Sequence, residues 1–235
     1  MSAPRQLALE FDYRPALARS DFLISDCNRA AFQAACEVTL GRAGRLILTG
    51  PEGSGKTHLA AIWAAASGAA VLGASALTDK TVEALMEGGA AVLEDVHEAA
   101  ADRECERLVF HALNLAAAHG TRLLLTGRKA PTRWGVVTPD LASRLSAQPH
   151  IAIGPPDDEL LSKILDKLFS DRQISASADA IRFLVPRMER SFAAAARIVQ
   201  DLDGRALAER RAITRNLVRE VYETEPDIIA GVGEP

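Results

Sequence analysis

The sequence predicts an α/β fold in which a three-layer domain built on a parallel sheet is followed by a small all-helical unit. Three observations carry this expectation. Gly50-Pro-Glu-Gly-Ser-Gly-Lys56-Thr57 has the spacing of glycines, lysine and hydroxyl that cradles nucleotide phosphates, with an apolar run before it and an Ala-rich stretch after it. Two later apolar runs end in polar residues, Ala90–Leu93 in Glu94-Asp95 and the run after Thr121 in Thr126. Beyond Pro155-Pro156 the short apolar runs give way to helical periodicity as far as about Tyr222.

Taken in order, Arg45-Leu-Ile-Leu-Thr49 predicts a buried strand, and Lys56 to Ala66 a helix whose N-terminal dipole faces an anion. Between them, Gly50, Gly53 and Gly55 let the backbone turn its N–H groups onto phosphates, with Pro51, Glu52 and Ser54 completing the loop. Lys56 is expected to reach the β and γ oxygens and Thr57 to offer its hydroxyl to Mg²⁺, while His58 follows in the first helical turn. The bound cofactor is therefore expected to be ADP or ATP with Mg²⁺.

Ala69–Leu72 predicts a second strand, and Thr78 to Met86 a helix that begins at Thr78 or Asp79. Ala90-Ala-Val-Leu93 predicts a third strand that delivers Glu94 and Asp95 to its C-terminal edge, about forty residues after the phosphate loop. One carboxylate would hold Mg²⁺ through water and the other would orient an attacking water; the alternative is a strand that merely meets solvent. A helix from about Asp102 to His119 leads to Thr121-Arg-Leu-Leu-Leu-Thr126, a further strand. Thr126 at its tip either senses the γ-phosphate or the attacking water, or simply ends the strand.

The helical unit is expected to comprise Asp157 to Phe169, Ala178 to Met188, Phe192 to Asp203 and Thr214 to Tyr222, with Asp157 and Asp158 placed to meet a helix N-terminus. The domain plan is an N-terminal tail over 1–14, the α/β domain over 15–154, the helical lid over 155–224 and a loose acidic tail over 225–235.

At 235 residues, with 48% hydrophobic and 25% charged, the chain can form a core of ordinary size. A net charge of −4 argues against broad electrostatic binding to nucleic acid, so contact with DNA is expected only through a partner. Three cysteines, Cys27, Cys36 and Cys105, show no metal spacing and fit a reducing cytosol. The N-terminus lacks the apolar region of a secretory signal, so a cytoplasmic location is expected. Leu59 to Thr78 is uncharged for twenty residues, but it is mostly Ala, Gly and Ser and begins inside the phosphate-loop helix, so no membrane span is expected.

By these motifs the chain resembles, from end to end, an AAA+ ATPase of the DnaA branch, and within it the Hda group of regulatory inactivators of DnaA. Pro139-Asp-Leu-Ala-Ser-Arg-Leu145 is similar to the family's box VII, which implies that Arg144 is an arginine finger reaching the ATP of a neighbouring subunit; taken alone, Arg144 would read as a surface salt bridge. Gln6-Leu7-Ala8-Leu9-Glu10-Phe11 resembles the short peptide that docks on the bacterial sliding clamp, Gln6 at a polar subsite and Leu7, Leu9 and Phe11 supplying its apolar side. An N-terminal strand or a tail packed on the core is the alternative for these six residues.

Phe22-Leu-Ile-Ser-Asp-Cys-Asn28 resembles the family's first box, which lines the adenine side of the pocket. Phe22 and Ile24 would pack the base, and Asn28 would either start the next helix or contact the nucleotide. The resemblance has two departures. Ala193 stands where the family's lid arginine contacts the phosphates, leaving Arg190 or Arg197 as substitutes, of which Arg190 is preferred; a solvated basic residue is the alternative. Glu94 stands where the family has an aspartate. Both argue against efficient hydrolysis by this chain itself.

The resemblance implies a negative regulator of replication initiation, with the DnaA initiator and the polymerase III β sliding clamp as partners. It would pair with DnaA-ATP on the DNA-loaded clamp and stimulate hydrolysis in trans through Arg144. A homodimer or larger homo-oligomer stays open, as do a helicase-loader-like ATPase and a non-catalytic adaptor tethered to the clamp. Arg205, Arg210, Arg211, Arg215 and Arg219 are interleaved with Glu209, Glu220 and Glu223, which reads as a solvated helical face rather than a DNA-binding one.

Overall fold

Buried apolar runs at Arg45–Thr49 (β1), Ala70–Gly73 (β2), Ala90–Glu94 (β3) and Arg122–Gly127 (β4), with a short fifth strand at His150–Ala152 (β5), pair into one parallel sheet of order β2-β3-β4-β1-β5. The chain is seen in a computed structural model that describes residues 17–36, 40, 44–209 and 211–224. The proposed clamp peptide Gln6–Phe11 and the tail over 225–235 lie outside the described residues.

Both faces of the sheet are covered, which is why its central strands are continuous rather than alternating in hydrophobicity. Leu46 and Leu48 of β1, Ala90 and Val92 of β3 and Leu124 of β4 point to one side, against Arg29–Cys36 (α1) and Lys56–Ser67 (α2), whose Trp63 is fully buried there. Ile47, Ala91, Leu93, Leu123 and Leu125 point to the other side, against Asp79–Glu87 (α3), Arg103–His119 (α4) and Pro139–Ser146 (α5). Each fully buried Leu or Ile in these layers contributes about 1.5–3 kcal/mol through removal from water.

The distribution of helices follows from handedness. The step from β1 to β2 runs one way across the sheet, whereas β2 to β3, β3 to β4 and β4 to β5 run the other. Right-handed crossovers therefore set α2 on one face and α3, α4 and α5 on the opposite one. The first step leaves β1 in one direction while β5 joins it from the other, so the loop after β1 lies in a crevice at the C-terminal edge, where such sheets bind ligands.

Helix ends are set by local chemistry. The Thr78 hydroxyl accepts from the Thr81 amide in a capping box at the start of α3, and Asp102 accepts from the amides of Glu104 and Cys105 at 2.8 and 3.0 Å to start α4. Asp158–Asp171 (α6), Ala178–Leu184 (α7), Phe192–Glu209 (α8) and Arg215–Thr224 (α9) then form a separate apolar core around Leu161, Phe169, Leu184, Ile198 and Val218. Asp157 and Ser177 cap α6 and α7 with their side chains. Compared with the sequence expectation, α8 runs six residues past Asp203 and α7 stops four short of Met188.

Arg211 pairs with Glu209 and Glu220, and Arg219 with Glu223, so these basic residues are neutralised on the helical surface itself. Among the described residues, no helix is long and apolar enough to cross a membrane.

Candidate functional site

Gly50–Thr57 leaves the end of β1 and wraps the start of α2. Two of its glycines are demanded by the fold around them. Gly53 stands at φ +71° with any Cβ placed 2.9 Å from the Phe192 Cβ, and Gly55 stands at φ +90° with any Cβ placed 2.9 Å from the Phe22 ring. A side chain at either position would meet both a strained backbone and a filled neighbour. The loop thus presents bare backbone between the box-like segment at Phe22 and the first residues of α8.

Lys56 is almost fully buried, and its ammonium donates to the carbonyls of Gly50 and Pro51, both at 2.9 Å. Burial lowers its pKa below the ordinary 10.5, opposed by the negative charge of Asp95. Thr57 is exposed at the first turn of α2.

The neighbouring strands bring polar groups to the same edge. Leu48 of β1 lies opposite Thr126 of β4, and Leu93 of β3 lies opposite Leu125, so Glu94 and Thr126 emerge side by side next to the loop. The Glu94 Oε1 atom is buried and has no hydrogen-bond partner among the described residues. Asp95 adopts a left-handed conformation, φ 51°, that costs most L-residues about 1–2 kcal/mol and that Asp tolerates better than most. Its amide donates to the Thr126 hydroxyl at 3.0 Å. Thr126 therefore does more than end the strand: it fixes the backbone that carries the second carboxylate.

These donors fit a magnesium nucleotide. An orphaned carboxylate oxygen, an exposed hydroxyl on Thr57 and a buried ammonium converge on a loop built of free amides, the set that hard cations and phosphates need. Among the described residues no cluster of three or more His, Cys, Asp or Glu could hold a metal without a further ligand, consistent with a cation bound through phosphate oxygens.

A cavity of about 230 Å³ adjoins the loop on the α1 and α6 side, lined among others by Phe22, Asn28, Gly53, Gly55, His58, Leu160, Ile164 and Phe192. Phe22 stacks on Phe32 with centroids 5.5 Å apart and meets the His58 ring edge-on at 5.2 Å, and His58 Nε2 lies 2.8 Å from the Ala18 carbonyl. This apolar slot, contributed by both the sheet domain and the helical unit, has the character of a base site. Asn28 borders it but turns its side chain inward, donating to the Leu23 carbonyl and accepting from the Ser25 amide, both at 2.9 Å. It holds the box segment in shape immediately before α1.

Two expected residues are placed elsewhere. Ile24 is 39% exposed and lines a separate polar cleft with Asp26, Arg29, Asp157, Glu159 and Lys163. The alternation of an extended segment puts it on the side opposite the base slot. Arg190 is spent on an ion pair with Asp158 of α6 at 2.8 Å. What α8 presents to the loop is Phe192 and the Ala193 amide, 2.9 and 3.2 Å from a Cβ on Gly53.

Arg144 lies on the exposed face of α5. Its guanidinium sits over the Phe110 ring of α4 at 5.0 Å and has no carboxylate partner among the described residues. The helix that carries it is anchored by Glu106, 1% exposed, which the sequence reading did not single out. Its carboxylate accepts from the Val137 and Ala101 amides at 2.8 and 3.1 Å, and from the amide and hydroxyl of Thr138 at 2.8 and 2.6 Å. Burial alone would raise the pKa of Glu106, but these four donors outweigh it and hold the carboxyl below the ordinary 4.5. Thr138 is the residue before α5, so Glu106 fixes where that helix begins.

No family profile matches the chain. Its fold is similar to that of solved AAA+ proteins. Domain III of the Thermotoga maritima replication initiation protein DnaA superposes with a TM-score of 0.75 at 17% identity, over 92% of this chain and 98% of that one. AMPPCP-bound DnaA from Aquifex aeolicus gives 0.69 at 17% identity, over 91% and 71%. A Thermotoga maritima RuvB variant gives 0.69 at 18% identity, over 93% and 75%. At these identities the likeness establishes the fold, an AAA+ P-loop α/β domain followed by a helical unit.

Proposed function

We propose that this chain is a nucleotide-binding regulator of the Hda type, which uses Gln6, Leu7, Leu9 and Phe11 to sit on the DNA-loaded sliding clamp and offers Arg144 in trans to ATP held by DnaA. The observation that carries the reading is the condition of Arg144. It is exposed, has no carboxylate partner among the described residues, and stands on a helix pinned by Glu106. A surface salt bridge, the ordinary use of such an arginine, is absent among the described residues.

In its own pocket the chain would hold ADP or ATP, the base against Phe22 and His58, the phosphates on the amides of Gly50–Thr57 and on Lys56. Mg²⁺, when bound with the nucleotide, would neutralise the phosphate oxygens from a position held by Thr57 and Glu94. Asp95, set by its bond to Thr126, would orient water. Ala193 offers no cation to the phosphates and Arg190 is engaged with Asp158, so hydrolysis in this pocket is expected to be slow. Bound nucleotide would instead order the junction between sheet domain and helical unit, since Gly53 and Phe192 meet there.

Arg144 would act on DnaA's nucleotide by stabilising charge that develops on the transferred phosphoryl group, an effect worth about 10³–10⁵ in rate. Conversion of DnaA-ATP to its ADP form would then restrain re-initiation. The test is single-turnover hydrolysis of ATP prebound to DnaA, with this protein, with and without DNA-loaded clamp. Stimulation that needs both the clamp and Arg144 is the expected result. Fast turnover by this chain alone would favour a loader-like ATPase, and clamp binding without stimulation would favour an adaptor.

A further inference from the structure

We infer that Arg128 is the residue by which this chain distinguishes a nucleoside triphosphate from a diphosphate, and that Glu52 of the phosphate loop holds it in reserve. The inference rests on the reading of Gly50–Thr57 as a nucleotide site.

The loop and the tip of β4 are tied together, because the Gly50 amide donates to the Gly127 carbonyl at 3.2 Å. Arg128 is the next residue, and from there its Nη1 reaches Oε2 of Glu52 at 3.3 Å, along the rim of the loop. Lys56 grips the same stretch from inside, through the carbonyls of Gly50 and Pro51. Two cations thus bracket Gly50–Glu52, close enough that Arg128 adds to burial in lowering the pKa of Lys56.

The pair with Glu52 is easily exchanged. It is a single long contact between side chains that are 50% and 69% exposed, and pairs of that kind contribute little. A terminal phosphate offers more charge and several acceptor oxygens to the five donors of a guanidinium. The swap replaces one anion by another and leaves no buried charge unmet. The opposite side of Arg128 opens on a cleft of about 460 Å³ shared with His97, Lys129 and Arg133, where like charge disfavours the guanidinium. Thr126 already accepts from Asp95, so Arg128 supplies the positive charge that this strand tip brings to the loop. A diphosphate nests on the loop amides and Lys56 without reaching the rim.

The test is equilibrium binding of ADP and of the non-hydrolysable triphosphate AMPPCP, both with Mg²⁺, to the full chain and to Arg128→Ala, Arg128→Lys and Glu52→Gln. Arg128→Ala is expected to weaken AMPPCP about 10- to 100-fold, the size of a charge-assisted contact, with ADP held within about twofold. Arg128→Lys should recover part of the loss, and Glu52→Gln should strengthen AMPPCP by about two- to fivefold. Equal losses for both ligands, or none for either, would overturn the inference while leaving the nucleotide site standing. If the unmodified chain binds neither ligand, the nucleotide reading falls and this inference with it.

Discussion

The phosphate-loop edge and the α5 ridge treat their cations in opposite ways. At the loop, Lys56 is bonded to two carbonyls of its own loop and Arg128 to Glu52, so each positive charge already has an internal partner that a phosphate could displace. On α5, Arg144 has an aromatic ring beneath it and no carboxylate beside it. The first arrangement suits a ligand that enters the molecule's own cradle. The second suits a charge delivered outward, because the helix is fixed and the guanidinium is left unneutralised.

The sharpest way to break this contrast is Arg144→Ala. If the outward arginine acts on DnaA-bound ATP, stimulation measured in single turnovers should fall by about 10³-fold or more, and Arg144→Lys should not restore it, because a point charge lacks the planar fork. Stimulation that survives Arg144→Ala would leave α5 as an ordinary surface helix.

Next in size is Lys56→Ala. Removing the buried ammonium should weaken ADP and ATP by about 100-fold or more in direct binding measurements, since the phosphates lose a charge-assisted donor inside a nearly dry loop. Retained binding would mean that the loop amides alone suffice and that the inward cation has been misread.

Glu106→Ala probes the anchor rather than the finger. It leaves four donors without their acceptor at a buried position, which should cost about 2–4 kcal/mol in urea unfolding and reduce stimulation as α5 loses its fixed start. The same group predicts a pH effect. Its folded pKa lies below the ordinary 4.5, so its stabilisation is complete above that value and fades as pH falls through the folded one. Unfolding free energies of the unmodified chain and of Glu106→Gln should therefore converge in acid; a gap that stayed constant with pH would assign the effect to shape alone.

Phe110→Leu should have the smallest effect. Losing the ring under the guanidinium should lower stimulation by about two- to fivefold and leave stability within about 1 kcal/mol. A much larger loss of stability would mean that Phe110 belongs to the core and not to the positioning of Arg144.

Much of the sheet domain was legible in the sequence. The strand at Arg45–Thr49 is found with the expected bounds, and Ala90–Glu94 and Arg122–Gly127 differ by one residue, because strands buried on both faces must be continuous apolar runs. The AAA+ fold itself followed from motifs whose residues are adjacent in the chain. Arg190 was expected at the phosphates and is found on Asp158, and Ile24 was expected at the base and is found in another cleft. Both depended on side-chain direction at the edge of an element, which a periodic pattern does not define. Glu106 looked like one more acid in the first turn of a helix, since its four donors lie in segments that only folding brings beside it.

The sequence by itself determined the elements, the sheet that carries the loop, and the chemical types gathered at its edge, because local periodicity and spacing within one loop are properties of neighbouring residues. Only the tertiary structure decided which of those groups are already paired. Glu52 and Arg128 meet across the sheet edge, Glu106 reaches Thr138 between two helices, and Arg144 ends without a carboxylate among the described residues. Hydrogen bonds and ion pairs act over a few ångströms of space and not along the chain, so whether a charge is spent or available is settled only when distant segments come together.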